Sequence, residues 1–211
     1  MTDTDAIVGQ CLEAALAIIQ EKEEELHKLD AVAGDGDHGA GMVRGLKAAV
    51  LVDYTGTGGD VLAKAGSEFS NAAGGASGAL VGMFMMTLGN GLKTETPDAE
   101  MVGGALSQAL GMLKQMGKSD VGDKTMIDTI DPFVNAYQEA AAAGASITGA
   151  WQAALPAAAS GRETTVDMIA SKGRSAVLKE KSRGAADPGA TSMLYIFQAV
   201  GDVLSEACPE T

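Results

Sequence analysis

At 211 residues the chain can bury one substantial core, and a single domain over 1–211 is the expectation. Hydrophobic residues at 46% separate it from disordered chains, and a formal net charge of −13 excludes electrostatic attraction to nucleic acid or to an anionic membrane. Cys11 and Cys208 stand at opposite ends of the chain and make no disulfide framework, which fits a reducing, cytoplasmic setting.

Helical periodicity runs through the sequence and strand signals are nearly absent. Asp3 and Asp5 occupy the place where a secretory leader would need a basic segment. In the first helical segment Ile7, Cys11, Ala15, Ile18, Leu26 and Leu29 share a face, with Glu21, Glu23, Glu24 and Glu25 on the other. Asp30 and the string Gly34-Asp35-Gly36-Asp37-His38-Gly39 follow, and a second helix with Met42, Leu46, Ala49 and Val50 inward starts at its glycines. Thr55-Gly56-Thr57-Gly58-Gly59 reads as a turn, after which Asp60 caps a helix to about Asn71. Gly74-Gly75-Ala76-Ser77-Gly78 opens a fourth helix through Leu88, and Thr96-Pro97-Asp98 opens a fifth containing Val102, Leu106, Leu110 and Leu113.

Residues 117–122 read as a loop, and a sixth helix runs from about Asp123 into an alanine tract. A seventh, capped by Ser146 or Thr148, reaches Ala159. After Thr164 a short helix carries Val166 and Ile169, followed by a basic stretch from Lys172 to Arg183. Asp187-Pro188-Gly189 leads into the last helix, with Leu194, Phe197, Val200 and Leu204. Two long uncharged stretches, 70–92 and 140–161, are too interrupted by glycine, asparagine and proline to cross a membrane. Seven to nine helices with short connections and no βαβ alternation predict an all-α bundle.

Asp35 and Asp37 flank a single glycine, so one turn aims both carboxylates at a point, and Asp30 is close enough to join them. Carboxylates packed so tightly repel one another unless a cation lies between them. Hard oxygen ligands suit Mg²⁺ or Ca²⁺, and Mg²⁺ favours a few carboxylates plus substrate phosphates. The string also matches G-x-G-x-x-G, but an amphipathic helix precedes it where a dinucleotide fold needs a strand. An EF-hand fails because Leu46 stands where the bidentate glutamate belongs. A solvated acidic turn is the plain alternative, yet three aspartates framing glycines exceed what a helix connection requires.

Two further loops, Gly74 to Gly78 and Gly122-Asp123-Lys124-Thr125-Met126, each open a helix and can present N–H groups to an anion. Close helix packing explains the first equally well, and an Asp123 N-cap with a solvated Lys124 explains the second. Arg174, Lys179, Lys181 and Arg183 make a cationic cluster suited to phosphate, or a solvated basic loop. His38 is placed to cap, to bond a phosphate or to touch a ribose, whereas His27 lies on a polar face. With no Ser-His-Asp pattern, zinc spacing or P-loop, the expectation is a metal–nucleotide site assembled from separate loops.

With these loops in this order, the chain resembles the L subunit of dihydroxyacetone kinase, the nucleotide-binding member of a two-component phosphotransferase. The resemblance spans essentially the whole length. It rests on Asp30 with Gly34 to Gly39, on Gly74 to Gly78, on Gly122 to Met126, and on Asp187-Pro188-Gly189-Ala190-Thr191-Ser192. It implies an eight-helix antiparallel barrel with the nucleotide, ADP or ATP, at one end. It further implies that Asp30, Asp35 and Asp37 hold two Mg²⁺ ions bridging the phosphates. His38, Gly39, Ala40 and Gly41, with Ser77 and Gly78, would line the phosphate end. Gly122 and Met126 would border the base, and Arg174 with Asp187, Pro188 and Gly189 would close the site.

The same resemblance implies a separate K subunit that holds a short ketose, so activity of this chain alone is not expected. In one branch of the family a phosphohistidine protein, the M subunit, rephosphorylates resident ADP; in the other, ATP exchanges freely. A homodimer is compatible with either. The run Gly39 to Arg44 has glycine where phosphotransferase-linked members often carry asparagine, and Arg174 to Glu180 lacks the usual aromatic residue. Donor type and ketose, dihydroxyacetone or a tetrulose such as erythrulose, therefore stay open. The rival reading is a non-catalytic nucleotide-binding regulator of the same fold, which would have no need of an intact aspartate triad.

Overall fold

The computed structural model describes residues 3–94, 96–173, 176 and 180–207. Its helices are α1 Asp3–Glu21, α2 Glu23–Ala33, α3 His38–Ala49, α4 Gly58–Ala73, α5 Gly75–Gly91, α6 Ala99–Gly117, α7 Ile127–Ala142, α8 Ile147–Thr164 and α9 Pro188–Ala207. The described residues contain no strand. α1 and α2 form one bent rod. Lys22 interrupts them, yet its N–H donates to Ile18 O and its carbonyl accepts from Leu26 N–H, each at 2.9 Å, so the hydrogen-bond ladder continues across the break. With that rod taken as one, the described residues make eight rods. Each packs on the next from α3 to α9, and α1 touches both α3 and α9, which closes the ring. The all-α, eight-rod antiparallel barrel expected from the sequence is the architecture found.

Alternation of direction sends the α2–α3, α4–α5, α6–α7 and α8–α9 connections to one end, and the α3–α4, α5–α6 and α7–α8 turns to the other. The latter are built on caps. Thr57 Oγ1 accepts from Asp60 N–H at 3.2 Å while Asp60 Oδ2 accepts from Thr57 N–H at 3.0 Å, a reciprocal capping box. Asp60 is thus the partner of the cap, and Thr57 is the cap. Asp98 accepts from Met101 N–H at 2.8 Å and Ser146 from Gly149 N–H at 2.9 Å, opening α6 and α8.

Two elements differ from the sequence reading. α7 begins at Ile127, because 123–126 is a turn with Lys124 in the left-handed region at φ +61°. The short helix expected after Thr164 does not form: α8 runs to Thr164, Thr165 O accepts from Met168 N–H at 3.3 Å in a single turn, and the Lys124 ammonium donates to the carbonyls of both Thr165 and Met168.

An aromatic cluster anchors one side of the core. Phe133 stacks on Phe197 with ring centroids 4.2 Å apart, Trp151 meets Phe133 edge-on at 4.9 Å, and the indole N–H donates to Phe197 O at 2.8 Å. Across α4 and α5 the backbones nearly touch: a Cβ on Gly66 would lie 2.7 Å from Gly82 O. That closeness explains the uncharged 70–92 stretch as packing, and no helix among the described residues is long and apolar enough to cross a membrane. Inside the barrel, towards the capped turns, lies an apolar cavity of about 730 Å³ walled by residues such as Leu12, Phe84, Leu88, Trp151 and Ile196. Cys11 is on its wall, and burial pushes its thiol up to about 12.

Candidate metal–nucleotide site

At the other end the connections are long and polar. Gly34 N–H donates to Asp30 O at 2.5 Å and ends α2, and Gly36 at φ +77° then turns the chain back into α3. That turn brings a carboxylate oxygen from each of Asp30, Asp35 and Asp37 within 4.8 Å of the others, with Asp30 half-buried and the other two exposed. Asp30 is fixed further by His38 N–H at 3.3 Å. Asp37 stands just before α3 but makes no side-chain capping bond. A hard, anionic oxygen cluster open to solvent, at the positive end of a helix, fits Mg²⁺ carrying phosphate oxygens.

Beside the triad, α3 lies against the end of α4. A Cβ on Gly41 would be 3.4 Å from Ala73 O, and the same carbonyl accepts from Arg44 Nη2 at 3.0 Å. Gly74 and Gly75 follow at φ +73° and +66° with open space around both. The Gly74–Gly78 loop is therefore a neighbour of the triad. Gly39 has a different reason to be glycine, since a Cβ there would sit 2.6 Å from Glu23 O, where α3 crosses α2.

The remaining two connections meet across α7 and α9. Asp187 Oδ1 accepts from Ala190 N–H at 2.7 Å and caps α9, and Thr165 Oγ1 accepts from Asp187 N–H at 2.9 Å. Burial pushes the Asp187 carboxyl up to about 7, against the pull of these N–H groups and of Lys124. A Cβ on Gly189 would lie 3.5 Å from Met126 Cβ, so the last connection closes on the start of α7. Buried Asp128 shapes the loop between: Oδ1 accepts from Gly122 N–H at 2.6 Å and Oδ2 from Thr125 N–H at 2.7 Å.

Residues 32–202 match the DAK2 domain family. The chain belongs to that family. It is 36% identical over 185 residues to the ADP-binding subunit of PEP-dependent dihydroxyacetone kinase 1 of Listeria innocua, covering 86% of this chain and 88% of that one. It is also 36% identical over 210 residues to the L-erythrulose kinase of Pectobacterium atrosepticum, covering 97% of this chain but only 36% of the relative. The D-erythrulose kinase of Mycolicibacterium smegmatis is matched over a similar fraction, so the chain spans about a third of the length of these erythrulose kinases. Among solved structures, the native dihydroxyacetone kinase of C. freundii superposes with a TM-score of 0.71 at 28% identity, over 93% of this chain and 34% of that one. The same enzyme in complex with AMP-PNP and Mg²⁺ gives 0.67 at 27% identity.

Within this DAK2 domain the structure gathers Asp30, Asp35 and Asp37 at one point, with His38, Gly39, Ala40 and Gly41 opening the adjacent helix. Ser77 and Gly78 are in the first turn of α5, next to Ala73, and Met126 joins Asp187, Pro188 and Gly189 on the α7–α9 side, with Gly122 on the loop before. Arg174 and Lys179 lie outside the described residues. His38 has a side-chain partner within the fold. Its Nε2 is 2.9 Å from Ser192 Oγ, whose hydroxyl proton is given to Gly189 O at 3.1 Å. Burial holds the imidazole below its ordinary pKa. His38 thereby ties the start of α3 to the start of α9.

Two residues of the DAK2 domain escaped the sequence reading. Asp128, in Met126-Ile127-Asp128-Thr129-Ile130, is an acid among apolar residues, and that mismatch was its only signal. Lys124 entered the sequence reading only as the solvated lysine of the plain alternative for its loop. It is buried, with its ammonium inside a set of backbone carbonyls.

Proposed function

We propose that this DAK2 domain is the Mg-nucleotide-binding part of a kinase for a short ketose, working with a substrate-holding K subunit or domain. The observation that carries the reading is the convergence of Asp30, Asp35 and Asp37 at the N-terminus of α3. It is supported by relatives named as ADP-binding subunits and by the neighbour solved with AMP-PNP and Mg²⁺. Asp30, Asp35 and Asp37 are the residues to hold Mg²⁺, as two ions. When bound, Mg²⁺ supplies positive charge that neutralises the phosphates and the charge developing on the transferred phosphoryl group.

The protein's share is placement. The first turn of α3, from His38 to Gly41, presents the positive end of the helix dipole to the phosphates, with Ser77 and Gly78 beside it. Met126, Gly122 and the Asp187-Pro188-Gly189 turn would form the wall for the base, and Arg174 is carried into the proposal by the family resemblance alone. A fixed dipole end and a fixed base wall hold the γ-phosphate in one direction, which is where positioning lowers the barrier. Kinases for erythrulose and for dihydroxyacetone both stand among the relatives, so a three- or four-carbon ketose is the substrate class. Whether the donor is exchanged ATP, or resident ADP recharged by a phosphohistidine M subunit, is read from nucleotide retention after desalting. The reading goes with a cytoplasmic location.

Substituting Asp35→Asn tests it. Phoshoryl transfer in the presence of a matching K subunit, and Mg-dependent nucleotide binding, should both collapse while helix content is unchanged. Normal turnover by the variant would remove the triad from the reaction.

A further inference from the structure

Resting on the nucleotide reading above, we propose that Lys124 is a positioning residue for the nucleotide: its buried ammonium fastens the α8–α9 connection against the α6–α7 loop, and so sets the wall where Met126 meets Gly189. Lys124 Nζ lies 2.7 Å from Thr165 O, 3.2 Å from Met168 O, 2.6 Å from Ser182 O and 2.7 Å from Ala185 O. Four carbonyls around an ammonium with three N–H groups make the kind of shell a protein gives a metal cation. They come from both halves of the connection, so one side chain closes the whole segment into a loop.

The backbone points the same way. Lys124 holds φ +61°, a conformation that an L residue adopts at a cost and that glycine or asparagine would enter more easily. A lysine kept there is there for its side chain. Among the described residues, further ties join the segment to the barrel at its margins. Ser171 N–H donates to Asp123 O at 3.2 Å, its hydroxyl bonds the Asp123 carboxylate, and Asp187 N–H reaches Thr165. Within the segment, Gly184 N–H donates to Val166 O at 2.8 Å and Arg183 Nε to Asp167 O at 3.0 Å. Asp187 and Asp167 face the ammonium with favourable charge, and Arg183 opposes it.

The location links this latch to the site. Lys124 sits between Gly122 and Met126, and Ala185, one of its acceptors, is two residues before Asp187. If the ammonium is removed, Met168 O, Ser182 O and Ala185 O lose the donor that binds them to the α6–α7 loop, and Thr165 O keeps only Met168 N–H. The Ala170 N–H bond to Ser182 Oγ is left, with the Gly184 and Arg183 bonds, to hold the two halves of the segment together without that anchor.

The test uses the full chain with Lys124→Met, which keeps length but not charge, and Lys124→Gly, which also relaxes the backbone. Both should weaken Mg-ADP binding by about tenfold or more in calorimetry. Both should speed amide exchange across 166–185 while α1 to α6 stay protected. In phosphoryl transfer with a K subunit, KM for Mg-ATP should rise with kcat nearly unchanged, whereas a merely destabilised protein would lose kcat through fewer active molecules. Lys124→Arg, which restores a cation, should recover part of the affinity; it is the variant to read if the others do not fold, and native affinity together with native exchange in it would count against a shape-specific latch. Native Mg-ADP affinity in Lys124→Met and Lys124→Gly overturns the proposal, as does a kcat loss at constant KM. If the wild-type chain binds no Mg-ADP at all, the nucleotide reading falls, the positioning role falls with it, and the exchange measurement alone decides whether Lys124 fastens the segment.

Discussion

At the capped end of the barrel, polar side chains finish helices. Thr57 with Asp60, Asp98 and Ser146 each give their oxygen to a helix N-terminus, and behind them lies an apolar cavity of about 730 Å³. At the looped end, Asp37 precedes α3 without capping it, Asp35 and Asp37 stay exposed, and Asp30 joins them within 4.8 Å. An up-and-down barrel needs turns at both ends, so turn formation cannot account for the difference. On the proposed reading, three like-charged carboxylates are gathered at one end to hold a cation and an anion together.

The strongest way to break this comparison is to neutralise the triad. Asp35→Asn combined with Asp37→Asn should lower Mg-ADP affinity by about 10²-fold or more. In EDTA the same variant should melt no lower than wild type, since two mutually repelling charges have gone. A lower melting temperature in EDTA would make the triad structural and erase the contrast. The opposite perturbation belongs to the other end. Trp151→Ala should cost about 3–5 kcal/mol in denaturant unfolding, while the Mg-ADP affinity of the folded protein changes by less than about threefold.

Asp187 sharpens the contrast through pH. Its folded pKa, about 7, lies above the ordinary carboxylate value of 3.8, so the folded chain holds its proton more tightly than the unfolded one. The stability this contributes is complete below pH 3.8 and is lost as pH rises to about 7. Asp187→Asn keeps an oxygen for Ala190 N–H and carries no charge. It should flatten the nucleotide-free stability curve over that window, removing a fall of about 4 kcal/mol between pH 3.8 and pH 7. The smallest expected effect is Thr57→Ala, which removes one arm of the α4 capping box. It should cost about 1 kcal/mol in thermal unfolding and leave nucleotide binding untouched.

The barrel was legible because each rod carries its own apolar face, and periodicity is a local signal. The triad was legible for the same reason, lying within one short turn. What the sequence hid is decided across the fold. Lys22 bends the first rod without interrupting its hydrophobic face or its hydrogen bonds, so one helix was read where two are found. The start of α7 and the missing helix after Thr164 both depend on Lys124, whose carbonyl partners lie 41 to 61 residues away. The bond between His38 and Ser192, 154 residues distant, is likewise invisible from either neighbourhood. Met126 and Gly189 were each named from motifs, but only the packing of α7 on α9 makes them neighbours.

The most direct test of the central claim is calorimetry of ADP with the desalted chain, with Mg²⁺ and again with EDTA, for wild type and Asp35→Asn. The account predicts a single Mg-dependent ADP per wild-type chain, displaced or pre-filled if nucleotide is resident, and no binding in EDTA or in the variant. ADP binding that is equal with and without the metal, or that survives Asp35→Asn unchanged, would contradict it.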